Sequence, residues 1–187
     1  MGWGAQQGHR FNLVKLIKGG SSPVTMAQDT VQGQQSVQTY QEEMKIAKSM
    51  LIDLFKNVKK FYSKLTATGA FVGKHAEDGY WGTLERIEEA ERSVKEALIK
   101  INEMLIELGV TPGAEEVEEE VEVEEKGRVV EKVYEVFNDL VDINNRVTFL
   151  MDYIISHKLF DFYKLDYARR ALWSALLSLV DAIYYSC

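Results

Sequence analysis

The chain is poor in the residues that staple, break or catalyse. Of 187 residues a single one is cysteine, Cys187, so an intramolecular disulfide is excluded and no thiolate cluster exists for structural zinc. Two prolines, Pro23 and Pro112, leave long stretches without a helix breaker. No Gly-Lys-Ser/Thr phosphate loop, Gly-x-Gly-x-x-Gly turn, Gly-x-Ser-x-Gly elbow or His-Glu-x-x-His pair occurs. The three histidines, His9, His75 and His157, fall in three separate regions read as non-helical, and no Glu-x-x-His pair offers the ligands of a di-iron bundle. The paired acids Glu88-Glu89 and Glu115-Glu116 read as solvated charge. An enzyme is therefore not expected, nor a cofactor or a metal. The apolar stretch near Phe11 to Ile17 is short, carries Lys15 and is followed by no cleavage signal, which points to synthesis in the cytoplasm.

What is present is an uneven division of charge. Residues 1–74 hold ten Lys or Arg against four acids, a balance of +6; the remainder carries −13, so the net −7 conceals a basic front end. Such an end suits a polyanion. With 46% apolar residues, the chain is long enough for one sizeable core and short for two.

Residues 1–39 read as an arm, rich in Gly and Gln and without a sustained period. Within it Arg10, Lys15 and Lys18 surround Phe11, Leu13, Val14, Leu16 and Ile17, a compact basic and apolar patch. Residues 40–187 read as a helical bundle. Ala47, Leu51, Leu54, Val58, Phe61 and Leu65 recur at spacings of 4, 3, 4, 3 and 4, one buried stripe of a first helix. Lys45, Lys56, Lys59 and Lys60 project away from that stripe, and Lys48 and Lys64 extend the basic series. Glycines and aromatics between Thr66 and Gly82 suggest a long connection held down by Phe71, Tyr80 and Trp81. Thr83 is placed as the N-cap of a second helix with Glu85 in its first turn, and Gly109 and Pro112 as its stop.

An acidic loop is expected at about 113–126, because eight glutamates crowd residues 115–125. A third helix is expected from about Gly127 to Ser156. A fourth follows the short connection from His157 to Asp161 and ends in Ala171 to Cys187, where Asp181 is the single charge. Seventeen residues with an aspartate are short of the ~20 that cross a bilayer. Burial in the bundle, a subunit interface or contact with a membrane surface covers such a segment. The fold class is thus all-α, a four-helix bundle with an extended N-terminal arm.

A basic Gly/Gln-rich arm leading into four helices with an apolar last one resembles the major coat proteins of filamentous archaeal viruses with double-stranded DNA. The resemblance rests on Arg10, Lys15 and Lys18 in the arm, on the Lys45 to Lys64 series and on the Ala171 to Cys187 helix. It implies a virion protein that wraps double-stranded DNA through its phosphates, with Arg10, Lys15, Lys18, Lys45, Lys48, Lys56, Lys59, Lys60 and Lys64 as the contacting cations. It further implies pairing with itself or a paralogous coat protein in a helical filament, and contact with a viral lipid envelope in the enveloped families. The Glu-rich loop departs from a DNA-facing role and belongs on an outer surface. A membrane-associated bundle and a cellular adaptor are the competing readings.

Overall fold

The computed structural model describes residues 26–111 and 126–187, with side chains from Val37 onward in the first helix. Four α-helices carry the fold: α1 (Met26–Lys74), α2 (Trp81–Glu107), α3 (Val129–His157) and α4 (Tyr163–Ser186), with a short 3₁₀ turn at Ala76–Asp78. No strand occurs among the described residues. The protein is an all-α four-helix bundle.

The order around the bundle is α1, α2, α4, α3, with each helix packed on its two neighbours and α2 against α4 the most extensive pair. Contacts at the two ends fix the directions. The Tyr40 hydroxyl donates to the Leu159 carbonyl at 3.1 Å, while Lys132 at the start of α3 lies over the Phe71 ring near the end of α1. Lys164 at the start of α4 pairs with Glu107 at the end of α2, and Arg86 lies over Tyr185 at the opposite end. All four adjacent pairs are therefore antiparallel. The start of α3 lies at the opposite end of the bundle from the end of α2, so residues 108–128 join the two ends, a distance of about 40 Å at ~1.5 Å per helical residue. The acidic segment 115–125 falls in that connection, outside the described residues.

The core follows the stripes read from the sequence. All six α1 positions from Ala47 to Leu65 are buried, and Ile87, Ala90, Val94, Ile101 and Leu105 meet them from α2. Val133, Leu140, Val147, Leu150 and Ile154 supply the α3 face, with Phe137 half-buried beside them. Leu165, Leu172 and Leu179 complete the core from α4; each fully buried Leu contributes roughly 1.5–3 kcal/mol.

Five expectations are corrected. Helix α1 starts at Met26, so residues 26–39, expected to lack regular structure, are helical. Met26, Ala27 and the five glutamines favour the helix without any apolar period, and Gly33 opposes it most strongly. The bundle itself begins near Tyr40. The stretch from Thr66 is no long connection, because α1 runs on to Lys74 and Phe71 and Val72 extend its buried stripe. Gly69 serves close packing there: a Cβ would stand 3.3 Å from Ile87 Cγ2 and 2.6 Å from Glu91 Oε1.

The cap of α2 is Tyr80, not Thr83. Thr83 lies one turn inside, fully buried, with its Oγ1 lacking a hydrogen-bond partner, and the first turn carries no acid. Of the three aromatics expected to hold this region, Phe71 is buried and Tyr80 half-buried, while Trp81 is exposed. His157 is the last residue of α3 and not part of a loop. The stop of α2 stands as read, with Gly109 at φ +71°, a conformation glycine adopts without strain.

Candidate nucleic-acid interface

At about 3.6 residues per turn, residues eleven apart lie on nearly the same line of a helix. Lys45 and Lys56 are such a pair, opposite the buried line of Ala47, Leu54 and Leu65, and both are exposed. Lys60 is exposed on one flank of that line. Lys48 and Lys59 are half-buried on the other. Between Lys45 and Lys60 the one acid is Asp53. Five cations thus occupy about 22 Å of helix.

Lys64 is used differently. Its Nζ sits 2.9 Å from Glu135 Oε1 and 2.6 Å from Asp139 Oδ2, two acids of α3. Partial burial opposes its charge, yet the hydrogen bonds to Asp139 and Glu135 outweigh that and raise its pKa above the usual lysine value. The same hydrogen bond holds the Glu135 carboxyl below the usual range, against a smaller opposing effect of burial. Arg146, one turn beyond, pairs with Asp142 at 3.3 Å.

The α1/α3 groove is consequently close to neutral. Its lower part is lined by Asn57, Lys60, Phe61, Lys64, Asp139 and Arg146. Its upper part, about 380 Å³, is more apolar, with Met50, Leu54, Leu150 and Phe149, the last 64% exposed. The excess of cations on α1 therefore lies on its outer side, at Lys45, Lys48, Lys56 and Lys59, with Lys60 at the border of the groove. Sequence spacing brought Lys45, Lys48, Lys56, Lys59 and Lys60 to one side of a helix correctly but grouped Lys64 with them. The partners of Lys64 leave a faint trace in the sequence, as Glu135, Asp139, Asp142 and Arg146 recur at helical spacing on α3. Which helix that polar line faces is not readable from it. Arg10, Lys15 and Lys18 lie outside the described residues.

Comparison with protein-family models, curated proteins and solved structures finds no match to this chain.

Two other features bear on chemistry. A cavity of about 570 Å³ at one end of the bundle is lined by His75, Asp78, Tyr80, Arg128, Ser186 and Cys187, with His75 Nδ1 3.7 Å from Asp78 Oδ2. It is open, and its cysteine is exposed. No group of three metal-ligating side chains occurs among the described residues. The last two thirds of α4 are buried on one side only: Ala171, Leu172, Ala175, Leu176, Leu179 and Ala182 face inward, whereas Trp173, Leu177, Val180 and Tyr184 face out. No described helix is long and apolar enough to cross a membrane.

Proposed function

We propose that this protein is a structural nucleocapsid or coat protein that binds double-stranded DNA through its phosphates, without reading sequence, and packs in many copies. The observation that supports it is the lysine series on the outer side of α1: Lys45, Lys48, Lys56, Lys59 and Lys60 along one side of a single helix, with one acid, Asp53, between the first and the last. A duplex carries one phosphate charge per ~1.7 Å of axis with both strands counted, so about thirteen lie on a 22 Å length and the ridge faces a part of them. Each lysine that meets a phosphate releases a counterion, and that release drives a binding that ignores base sequence. The cations of Arg10, Lys15 and Lys18 add to it. The exposed apolar side of α4 supports the packing of copies, and the virion is the place for such a protein.

The test is binding of purified protein to random-sequence duplex DNA over a range of salt concentrations. The affinity should fall linearly on a log–log plot with a slope near −0.9 for each phosphate neutralised, and a chain truncated before Met26 should show a shallower slope. Tight binding that salt leaves unchanged, or no binding at low salt, refutes the reading.

A further inference from the structure

The outward side of α4 carries a line of six exposed residues, Tyr167, Arg170, Ser174, Leu177, Asp181 and Tyr184, at spacings of 3, 4, 3, 4 and 3. This is the spacing of a coiled-coil seam, here about 25 Å long and covered by no helix of the bundle, with Lys100 of α2 reaching its edge 5.2 Å from the centre of the Tyr167 ring. The line is symmetric about its middle. An aromatic stands at each end, then a charge, then a small or aliphatic centre, and the two charges have opposite sign.

We propose that this line is a two-fold interface with a second copy of the chain, the two α4 helices running antiparallel. In that arrangement Tyr167 meets Tyr184 of the second copy, Arg170 meets Asp181, and Ser174 meets Leu177, each contact occurring twice. A parallel pair would set Arg170 against Arg170 and Asp181 against Asp181, so charge selects the antiparallel one. Trp173 and Val180 lie on one common flank of the line and meet each other across the same axis.

The available area agrees with a dimer. Tyr163, Tyr167, Trp173, Tyr184 and Tyr185 are each 47% to 78% exposed. At roughly 200 Å² per aromatic side chain, these five with Leu177 and Val180 present on the order of 700 Å². A stable complex buries about 800 Å² on each partner. Arg170 already touches Asp166 at 3.1 Å, yet its side chain is 76% exposed and its five donors can serve a second carboxylate. Asp181 lies near Arg86, whose guanidinium covers Tyr185, and remains exposed.

The inference does not rest on nucleic-acid binding, since no cation of α1 takes part and the test contains no DNA. Sedimentation velocity of the nuclease-treated full chain, from about 1 to 200 µM, would be compared with Arg170→Glu, Asp181→Lys and the double variant carrying both. Each single change sets like charges opposite one another twice and should weaken association by about tenfold to a hundredfold. The double variant exchanges the signs and should recover most of the wild-type association, with helical circular dichroism unchanged in all four proteins. A wild-type chain that stays monomeric over the whole range overturns the proposal. So does an assembly that neither single reversal weakens, or a double variant no better than the singles.

Discussion

Helices α1 and α4 each turn one side to the same core, and their outer sides differ in kind. The outer side of α1 is lined by ammonium groups; that of α4 is aromatic, with one positive and one negative charge. On the proposed reading, the first meets a polyanion. The second gains by covering itself with a like surface. On the two proposals, nucleic acid and contacts between copies thus fall to different surfaces, and no one surface is asked to do both.

The comparison fails at once if the core beneath it gives way. Leu172→Ala, at a fully buried position of α4, should cost about 2–5 kcal/mol, read by urea titration with no change in m-value. The two outer sides part company in the next experiment. Replacing Lys45, Lys48 and Lys59 together by Gln should reduce the magnitude of the log–log salt slope by about 3 and weaken DNA binding by roughly a hundredfold at 0.1 M salt. Arg170→Glu on α4, measured in the same titration, should leave the slope unchanged within half a unit. Equal losses from the two sets would erase the distinction.

A smaller effect sharpens the account of what lies between them. Thr83→Val removes a buried hydroxyl that has no partner and should raise stability by about 1 kcal/mol, leaving both DNA binding and association untouched.

Lys64 separates ridge from bundle most finely. Lys64→Gln should cost about 0.5–1 kcal/mol of stability, yet leave the salt slope of DNA binding nearly unchanged, because its charge is spent on Glu135 and Asp139. The pH dependence has a defined sign. Glu135 is held below its ordinary value in the folded chain, so its contribution is complete above the usual glutamate range and is lost as pH falls through the lowered folded value. Lys64 is held above 10.5, so its contribution is present below that value and is lost as pH rises through the raised one. Thermal melts of Lys64→Gln should therefore be flatter than wild type at both the acid and the alkaline limit.

The apolar stripes of α1, α2 and α3 were legible in the sequence because burial on one side of a helix imposes a 3- and 4-residue spacing that no other structure needs. The start of α1 was not, since residues 26–39 have helix-forming composition without an apolar stripe. The glycines after Thr66 looked like a break, yet Gly69 sits where Ile87 and Glu91 approach the backbone and Gly73 lies in the last turn. Local composition does not distinguish a glycine that ends a helix from one that lets a neighbour come close. Thr83 had the residue type of a cap and lay one turn too far along.

By itself the sequence determined that this chain forms long amphipathic helices around one core, that its front end is net positive because acids are scarce there, and that the end of its last helix carries little charge. These properties depend on residue type and spacing along one element, which the chain carries wherever it is. Only the tertiary structure decided that Lys64 leaves the basic series for Glu135 and Asp139, that Thr83 is buried without a partner, and that one side of α4 faces out. Each of those depends on which helix stands beside which, and that is set by the packing of four stripes at once.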